Sequence, residues 1–472
     1  MMQASNANYS TLKNTVLEMW EPAAIGVHRA PDLLVKYFEK HFRRFFNMIN
    51  IPYESSRIHN SIEYVCEDIC KRHIFKTDFH SYFHAQPPFQ LREAILTGSL
   101  SEGLYLFSSE PPDMDFMCVL KNIMFSQEDQ EDGSLLLRED TPFVYAFITR
   151  KENKNLWSEF LDEGDKHTGK LRLSSRKLKE ELEKNYKKTG GLFRTFGKEG
   201  LEEVDEGAAV TIRKPEPVVP SVERYRKFKE EILRQPWRVL LDNAVSDEIL
   251  HAMLDKLIPS SDIVLSISCE GWPYCAREWI TRERVWPDKH SVETITLAGF
   301  HIVPKSSHDG DFRLSFSCAE TILVKTLEPL QHKVMRAFKA VIKHHQRIWS
   351  PSAKGIISSY HLKTIAFWHF EKTSQESWTE ETVVHHLVVL LEELAEALRI
   401  QSLPMYFMPK VNLLQDVDDP EVTLDLMDKI SRLSHNFPAM SEAVNDKTTL
   451  KESAILIDSD HNVIHSNHDD VN

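Results

Sequence analysis

The sequence predicts an α+β protein: a mixed sheet with helices, followed by an all-helical C-terminal lobe. Three observations carry this. AILTGSLSEGLYLF and PDMDFMCVLKNI read as a strand, a tight Gly-Ser turn into a short helix, and a second strand. SDIVLSISCEGWP and HIVPK have the alternating or continuous apolar residues of strands, and FRLSFSCAETILVKTL passes from strand to helix. From Leu323 to about residue 440 the apolar spacing becomes helical, most clearly in VMRAFKAVIKHHQ, SYHLKTIAFWHFEK and ETVVHHLVVLLEELAEALRI.

The remaining elements follow in order. Residues 30–50 place Leu33, Leu34, Phe38, Phe42, Phe45, Phe46 and Met48 at helical spacing with charges between, which predicts a long amphipathic spine helix backing the sheet. The stretch from about 150 to 205 is highly charged and mostly helix-forming, an elaboration on the core. AAVTIRKPEPVVP resumes as strand and breaks on prolines. Beyond residue 441 the chain is polar and acidic, the composition of a disordered tail. The expected division is a sheet-based core over 1–310, a helical lobe over 311–440 and the tail over 441–472.

With 42% hydrophobic residues, the 472-residue chain can bury cores for two or three lobes. No stretch approaches the ~20 apolar residues of a membrane span, and the first residues lack the basic-then-apolar order of a signal peptide, so a soluble cytoplasmic protein with no membrane partner is expected. Six scattered cysteines suit a reducing compartment. Cys66, Cys70 and His73 stand at helical spacing but lack a second ligand pair, so they read as thiols on a helix face and no structural zinc is expected. A net charge of -14 argues against indiscriminate nucleic-acid binding. Two segments are nonetheless locally basic, one with Lys36, Lys40, Arg43 and Arg44, the other with Lys166, Lys170, Arg172, Arg176, Lys177, Lys187 and Lys188. They are either nucleic-acid contacts or solvated helix faces balanced by neighbouring glutamates.

The chemistry-bearing constellation is Gly98-Ser99, then 13 residues, then Asp113-Met114-Asp115-Phe116. In a strand, Asp113 and Asp115 point to one face while Met114 and Phe116 point to the other. Two carboxylates so close repel unless a cation lies between them, and Mg²⁺ or Mn²⁺, as a pair of ions bridging substrate phosphates, supplies it. Gly98 permits close backbone approach to a triphosphate, and the Ser99 hydroxyl can bind phosphate oxygens. Joined at this distance, the turn and the acids are the signature of a bilobed polymerase-beta-like nucleotidyltransferase core, which needs a third acid from a neighbouring strand. Asp262, at the start of DIVLSI, is the candidate.

TGSLSEGL with DMDFM, EGAAVTI, DIVLSISCEGWPYCAREWITRERVWP, GFHIVPK, FRLSFSCAE and ISSYHLKTIAFWHFE, in this order over roughly residues 90–415, resemble the Mab-21 family of cyclic GMP-AMP synthase-like nucleotidyltransferases. The resemblance implies a bilobed enzyme with nucleotides between the lobes. It implies that Asp113, Asp115 and Asp262 hold two metal ions, with Asp262 also helping to activate the attacking ribose hydroxyl. Gly98 and Ser99 would hold the donor triphosphate, Lys339 a phosphate, Ser359 a phosphate, and Tyr360 would stack on a base. Arg313, Ser315 and Ser317 would read a base edge, joined by Thr97 and Glu320. Each residue has an ordinary alternative: a solvated lysine, a half-buried aromatic, an alternating strand with its polar face outward.

Between Glu320 and Lys339 there is no cysteine and only His332, so the zinc-binding insertion used by vertebrate members against double-stranded DNA is missing. The resemblance is then to members that answer double-stranded RNA, or to members whose trigger is unknown. The implied activity is condensation of two NTPs, such as ATP and GTP, into a cyclic dinucleotide for innate immune signalling, with Lys36 to Arg44 on the spine helix contacting the activating nucleic acid. The alternative is a catalytically silent Mab-21-like developmental or scaffold protein. Retention of the acids and the Gly-Ser turn favours the enzyme.

Overall fold

The structure, a computed structural model, describes residues 82–104, 106, 114–162, 170–189, 202–206, 209–213, 261–349, 356–417 and 419–445. The spine helix with Lys36, Lys40, Arg43 and Arg44, the Cys66, Cys70 and His73 group, Asp113, Lys166 and the tail beyond residue 445 lie outside the described residues.

The core begins with β1 (Leu91–Thr97), a helical turn α1 (Gly98–Ser101), β2 (Met114–Phe125), α2 (Gln127–Glu131), β3 (Leu135–Leu136) and β4 (Phe143–Ile148). It continues with α3 (Lys151–Leu156), β5 (Leu161–Asp162), β6 (Leu171–Leu173), α4 (Ser175–Thr189), β7 (Glu202–Glu206) and β8 (Ala209–Arg213). Then come β9 (Ser261–Cys269), α5 (Arg277–Thr281), α6 (Lys289–Leu297), β10 (Phe300–Ser307), β11 (Gly310–Ser315) and α7 (Ser317–Lys325). Among the described residues the strands form one mixed sheet ordered β1-β2-β9-β10-β11-β4-β6-β5, with β8 paired to the start of β9, β7 to β8 and β3 to β4. β2 and β9, second and third from the β1 edge, run parallel. The helical lobe comprises α8 (Pro329–Ile348), α9 (Ser359–Lys372), α10 (Val383–Arg399), α11 (Pro420–Ser434) and α12 (Phe437–Asn445). This is the expected fold class: a mixed sheet with helices, then an all-helical lobe.

Period-two alternation gives the sheet two unlike faces. Phe116, Cys118, Leu120, Ile263, Leu265, Ile267, Phe300, Ile302, Phe312 and Leu314 alternate along their strands and are all buried, forming the apolar face. The helices start where the sequence supplies caps. Asp288 accepts from the Ser291 amide ahead of α6, Ser358 from the His361 amide ahead of α9, and Asp419 from the Glu421 and Val422 amides ahead of α11. Pro329 and Pro420 occupy first-turn positions where no amide is missed.

An aromatic cluster joins core to lobe. Trp272 and Trp279 lie 5.1 Å apart, and Phe407 meets Trp279 at 5.0 Å and Phe316 at 4.7 Å. Arg282 stacks over Trp368 at 4.3 Å and pairs with buried Glu371 at 3.2 Å. The GWPYCAREW block is therefore core masonry. Two boundaries differ from the expected ones. The charged stretch after residue 150 is not purely helical: β5 and β6 extend the sheet edge, and Trp157 is fully buried. The sheet also continues past residue 310, because Phe312 and Leu314 of β11 are buried and β11 pairs with both β10 and β4.

Candidate active site

Register assembles the site. Thr97 on β1 stands opposite Asp115 on β2, which stands opposite Asp262 on parallel β9, which in turn stands opposite Thr211 on β8. Directly opposed residues share a face, so both carboxylates project from the same side at the same end of the sheet. Both are half-buried, while Phe116 and Ile263 beside them are buried on the other side. Following the same parity, His301 lies opposite Ser268 and Ser315 opposite His301, with Arg313 two residues before Ser315. Arg313 and Ser315 thus share the carboxylate face. Ser268 is six residues along β9 from Asp262, roughly 20 Å at the rise of a strand, and the strip of this face between acids and serines includes buried Met117, Val119, Ser266 and Val303.

The Gly-Ser turn closes one end of that strip. Gly98 adopts φ +68°, and a Cβ built there would fall 2.7 Å from Asp115 Cγ and closer still to Oδ2. Only glycine fits. The buried Thr97 hydroxyl donates to the Asp115 carbonyl at 3.3 Å. The turn is completed by the Glu102 amide donating to the Gly98 carbonyl (3.1 Å) and the Leu104 amide to the Ser99 carbonyl (2.8 Å).

The helical lobe faces this turn. Lys339 on α8 donates from Nζ to the Leu104 carbonyl at 3.1 Å, and burial, with Lys343 and Lys363 nearby, lowers its pKa to about 8 even though Asp115 acts in the opposite sense. Ser359 and Tyr360 form the first turn of α9, held there by the Ser358 cap; Ser359 is exposed and the Tyr360 ring packs against the core. Burial, with the charge of Glu320 beside it, raises the Tyr360 phenol well above its usual range. Burial lowers the pKa of the Arg313 guanidinium, which lies within electrostatic reach of both Tyr360 and Glu320. Ser315 and Ser317 hydroxyls are 3.1 Å apart. Glu320 is buried, and its carboxylate accepts from Lys363 at 2.9 Å.

Of the candidates, Thr97, Asp115, Asp262, Arg313 and Ser315 lie on one sheet face, Gly98 presses against Asp115, and Glu320, Tyr360 and Arg313 meet at the lobe. Asp113 lies outside the described residues. The second basic segment is largely paired where described: Arg172 with Asp311, Arg176 with Glu180, Lys177 with Asp162. The donor set at the acids, hard carboxylate oxygens set side by side on parallel strands, suits Mg²⁺ or Mn²⁺. Residues not anticipated from the sequence share the face: Glu93, Ser266, Ser268, His301 and Lys305. Counting in twos from Asp262 along DIVLSIS finds Ser266 and Ser268. Glu102 and Lys363 were also missed.

Residues 108–326 match the Mab-21 protein nucleotidyltransferase domain, and residues 330–432 match the Mab-21 protein HhH/H2TH-like domain. Similar proteins include protein mab-21-like 3 of Xenopus laevis, 25% identical over 175 residues, which is 37% of this chain and 46% of that protein. Protein mab-21-like 3 of Danio rerio is 27% identical over 173 residues, 36% of this chain and 42% of that protein. The chain spans less than half the length of either of these curated relatives. No helix among the described residues is long and apolar enough to cross a membrane.

Proposed function

The chain belongs to the Mab-21 family, carrying its nucleotidyltransferase domain followed by its helical C-terminal domain, and on that premise we propose that it condenses two NTPs, such as ATP and GTP, into a cyclic dinucleotide second messenger for innate immune signalling, in response to a nucleic acid such as double-stranded RNA. The observation that carries the reading is the register of Asp115 with Asp262 beside a glycine whose backbone leaves no space for a Cβ.

Asp115 and Asp262, with Asp113, would hold Mg²⁺ or Mn²⁺, which when bound stabilises charge on the attacking and leaving oxygens. The chain's own groups do the rest. Gly98 and Ser99 present backbone and hydroxyl to the donor triphosphate, and the Lys339 ammonium adds a point charge. Tyr360 offers a flat ring to a base, while Arg313, Ser315 and Ser317 offer donors to a base edge. Asp262 takes the proton of the attacking ribose hydroxyl. The acids lie at one end of the strip and Ser315, with Ser317 beside it, at the other.

The test is incubation of the purified protein with Mg²⁺ or Mn²⁺ and four labelled NTPs, without polymer, with double-stranded RNA and with double-stranded DNA, followed by separation of phosphatase-resistant products. A resistant product formed only with one polymer, and lost in Asp115→Asn, supports the reading. If no condition yields product and Asp115→Asn binds NTP as the parent does, the protein is a scaffold that has kept the fold.

A further inference from the structure

Three serines assigned to the nucleotide each have a charged residue one helical turn behind them: Ser99 has buried Glu102, Ser317 has buried Glu320, and Ser359 has half-buried Lys363. Spacings of three and four residues place each pair on one side of its turn. The three charged groups meet. Lys363 Nζ donates to Glu102 Oε1 at 2.7 Å and to Glu320 Oε2 at 2.9 Å. The Glu102 and Glu320 side chains are 1% and 9% exposed, too buried for water to replace the lysine. One ammonium therefore ties the turn after β1, the start of α7 and the start of α9.

We infer that Lys363 is a positioning residue that fixes the Gly98–Leu104 turn against α7 and α9, so that Ser99, Ser317 and Ser359 converge on one nucleotide. The identity of that ligand rests on the proposed function; the positioning does not. The pairing has the shape of a device rather than ordinary surface decoration. Two buried carboxylates share one lysine, and Glu102 Oε2 is buried without a hydrogen-bond partner. Such an arrangement costs stability relative to an apolar contact of the same shape, and what it supplies instead is a single defined geometry. The same turn is gripped from α8, where His332 Nε2 lies 3.1 Å from the Glu102 carbonyl and Lys339 Nζ 3.1 Å from the Leu104 carbonyl. With Lys363, three helices of the molecule hold seven residues of the turn.

The experiment compares the full chain with the double variant Glu102→Gln/Lys363→Gln, in which an amide pair replaces the ion pair, and with Lys363→Arg, which restores a cation. Hydrogen exchange is read at the Glu102 and Leu104 amides, which close the turn. A core variant elsewhere, Leu426→Ala on α11, matches the loss of global stability. The expected result is exchange at those two amides faster by about tenfold in the double variant, no such change in Leu426→Ala, and recovery to within about threefold in Lys363→Arg. In parallel, binding of a non-hydrolysable ATP analogue with Mg²⁺ weakens by about tenfold in the double variant and recovers in Lys363→Arg. Unchanged exchange at the two amides overturns the inference whatever the nucleotide result. Faster exchange in a protein whose parent form does not bind the analogue supports the positioning and overturns the proposed function. If the double variant does not fold, Glu102→Gln alone answers the same question, because it removes one of the two charges on Lys363; exchange there must rise at the same two amides, and an unchanged rate overturns the inference.

Discussion

Replacing Gly98 by alanine separates backbone strain from displacement of the Asp115 carboxylate, because a second glycine provides the control. Gly98 and Gly133 have φ +68° and +71°, so alanine at either pays a left-handed penalty of about 1–2 kcal/mol. At Gly133 a Cβ would meet nothing within 4 Å. At Gly98 it would lie 2.7 Å from Asp115 Cγ, where carbon atoms in contact normally sit at about 3.5 Å or more, so the carboxylate must retreat by roughly 1 Å. The two variants should therefore lose similar thermal stability, a few degrees each. A misplacement of about 1 Å at the reacting centre costs on the order of 100-fold in rate. Gly98→Ala is expected to lose about that factor in phosphatase-resistant product and to weaken Mn²⁺ binding, read from free Mn²⁺ by electron paramagnetic resonance. Gly133→Ala should stay within about twofold of the parent in both. If Gly98→Ala retains parental Mn²⁺ affinity and rate while melting with Gly133→Ala, then Asp115 does not hold the metal.

Asp262→Asn should reduce product by about 100-fold or more and abolish the rise in melting temperature that Mn²⁺ gives the parent, while the metal-free melting temperature changes little; an undiminished Mn²⁺-dependent rise would remove Asp262 from the site. Because the Lys339 pKa is lowered to about 8, and a bound phosphate favours its charged form, affinity for a magnesium-bound ATP analogue should fall as pH rises above about 8, by up to tenfold per unit. Lys339→Met should bind weakly at all pH values, and titration calorimetry across pH 7–9 that found the parent flat would refute the linkage. His301 is buried, and burial, with Arg92 nearby, lowers its pKa to about 4, so the unfolded chain binds the extra proton between about pH 4 and 6.5. Stability contributed by neutral His301 is thus present above about 6.5 and lost as pH falls through that window, by up to roughly 3 kcal/mol. Thermal unfolding of His301→Gln should show a shallower acid slope by about one proton, and an unchanged slope would place the effect elsewhere.

What the sequence made legible was local. The Gly-Ser turn, the Asp115 strand and the long amphipathic helices declare themselves within windows of a dozen residues, because period-two and helical spacing are properties of neighbours. The register joining Thr97, Asp115 and Asp262 is not local: β9 enters the sheet about 150 residues after β2 and parallel to it, and no turn chemistry fixes that pairing in advance. β5 and β6 escaped because strands of two or three residues carry no period at all. Glu102 and Lys363 escaped for a different reason. A lone glutamate after a four-residue helix and a lysine on a helix look like solvated charge, and only the meeting of their elements buries them. The spacing from Ser99 and Ser359 was in the sequence; the meeting of Glu102 and Lys363 behind them was not.

The distribution of positive charge bears on how a chain of net charge -14 would meet the proposed triphosphate. On the surface, arginines are neutralised in short pairs, such as Arg176 with Glu180 and Arg399 with Glu396, and the pairing raises their pKa. At the site the sense reverses. Lys305 is lowered by burial and by the cation Arg313, with which it shares a sheet face, and Lys339 is lowered by burial and by Lys343 and Lys363. Glu102 and Asp115 act on Lys339 in the opposite sense, so the lowered pKa rests first on burial. The carboxylates at one end of the same face would by themselves repel a phosphate. The proposed metal-bound polyphosphate would meet the acids through its cation and the Lys339 ammonium through its phosphates.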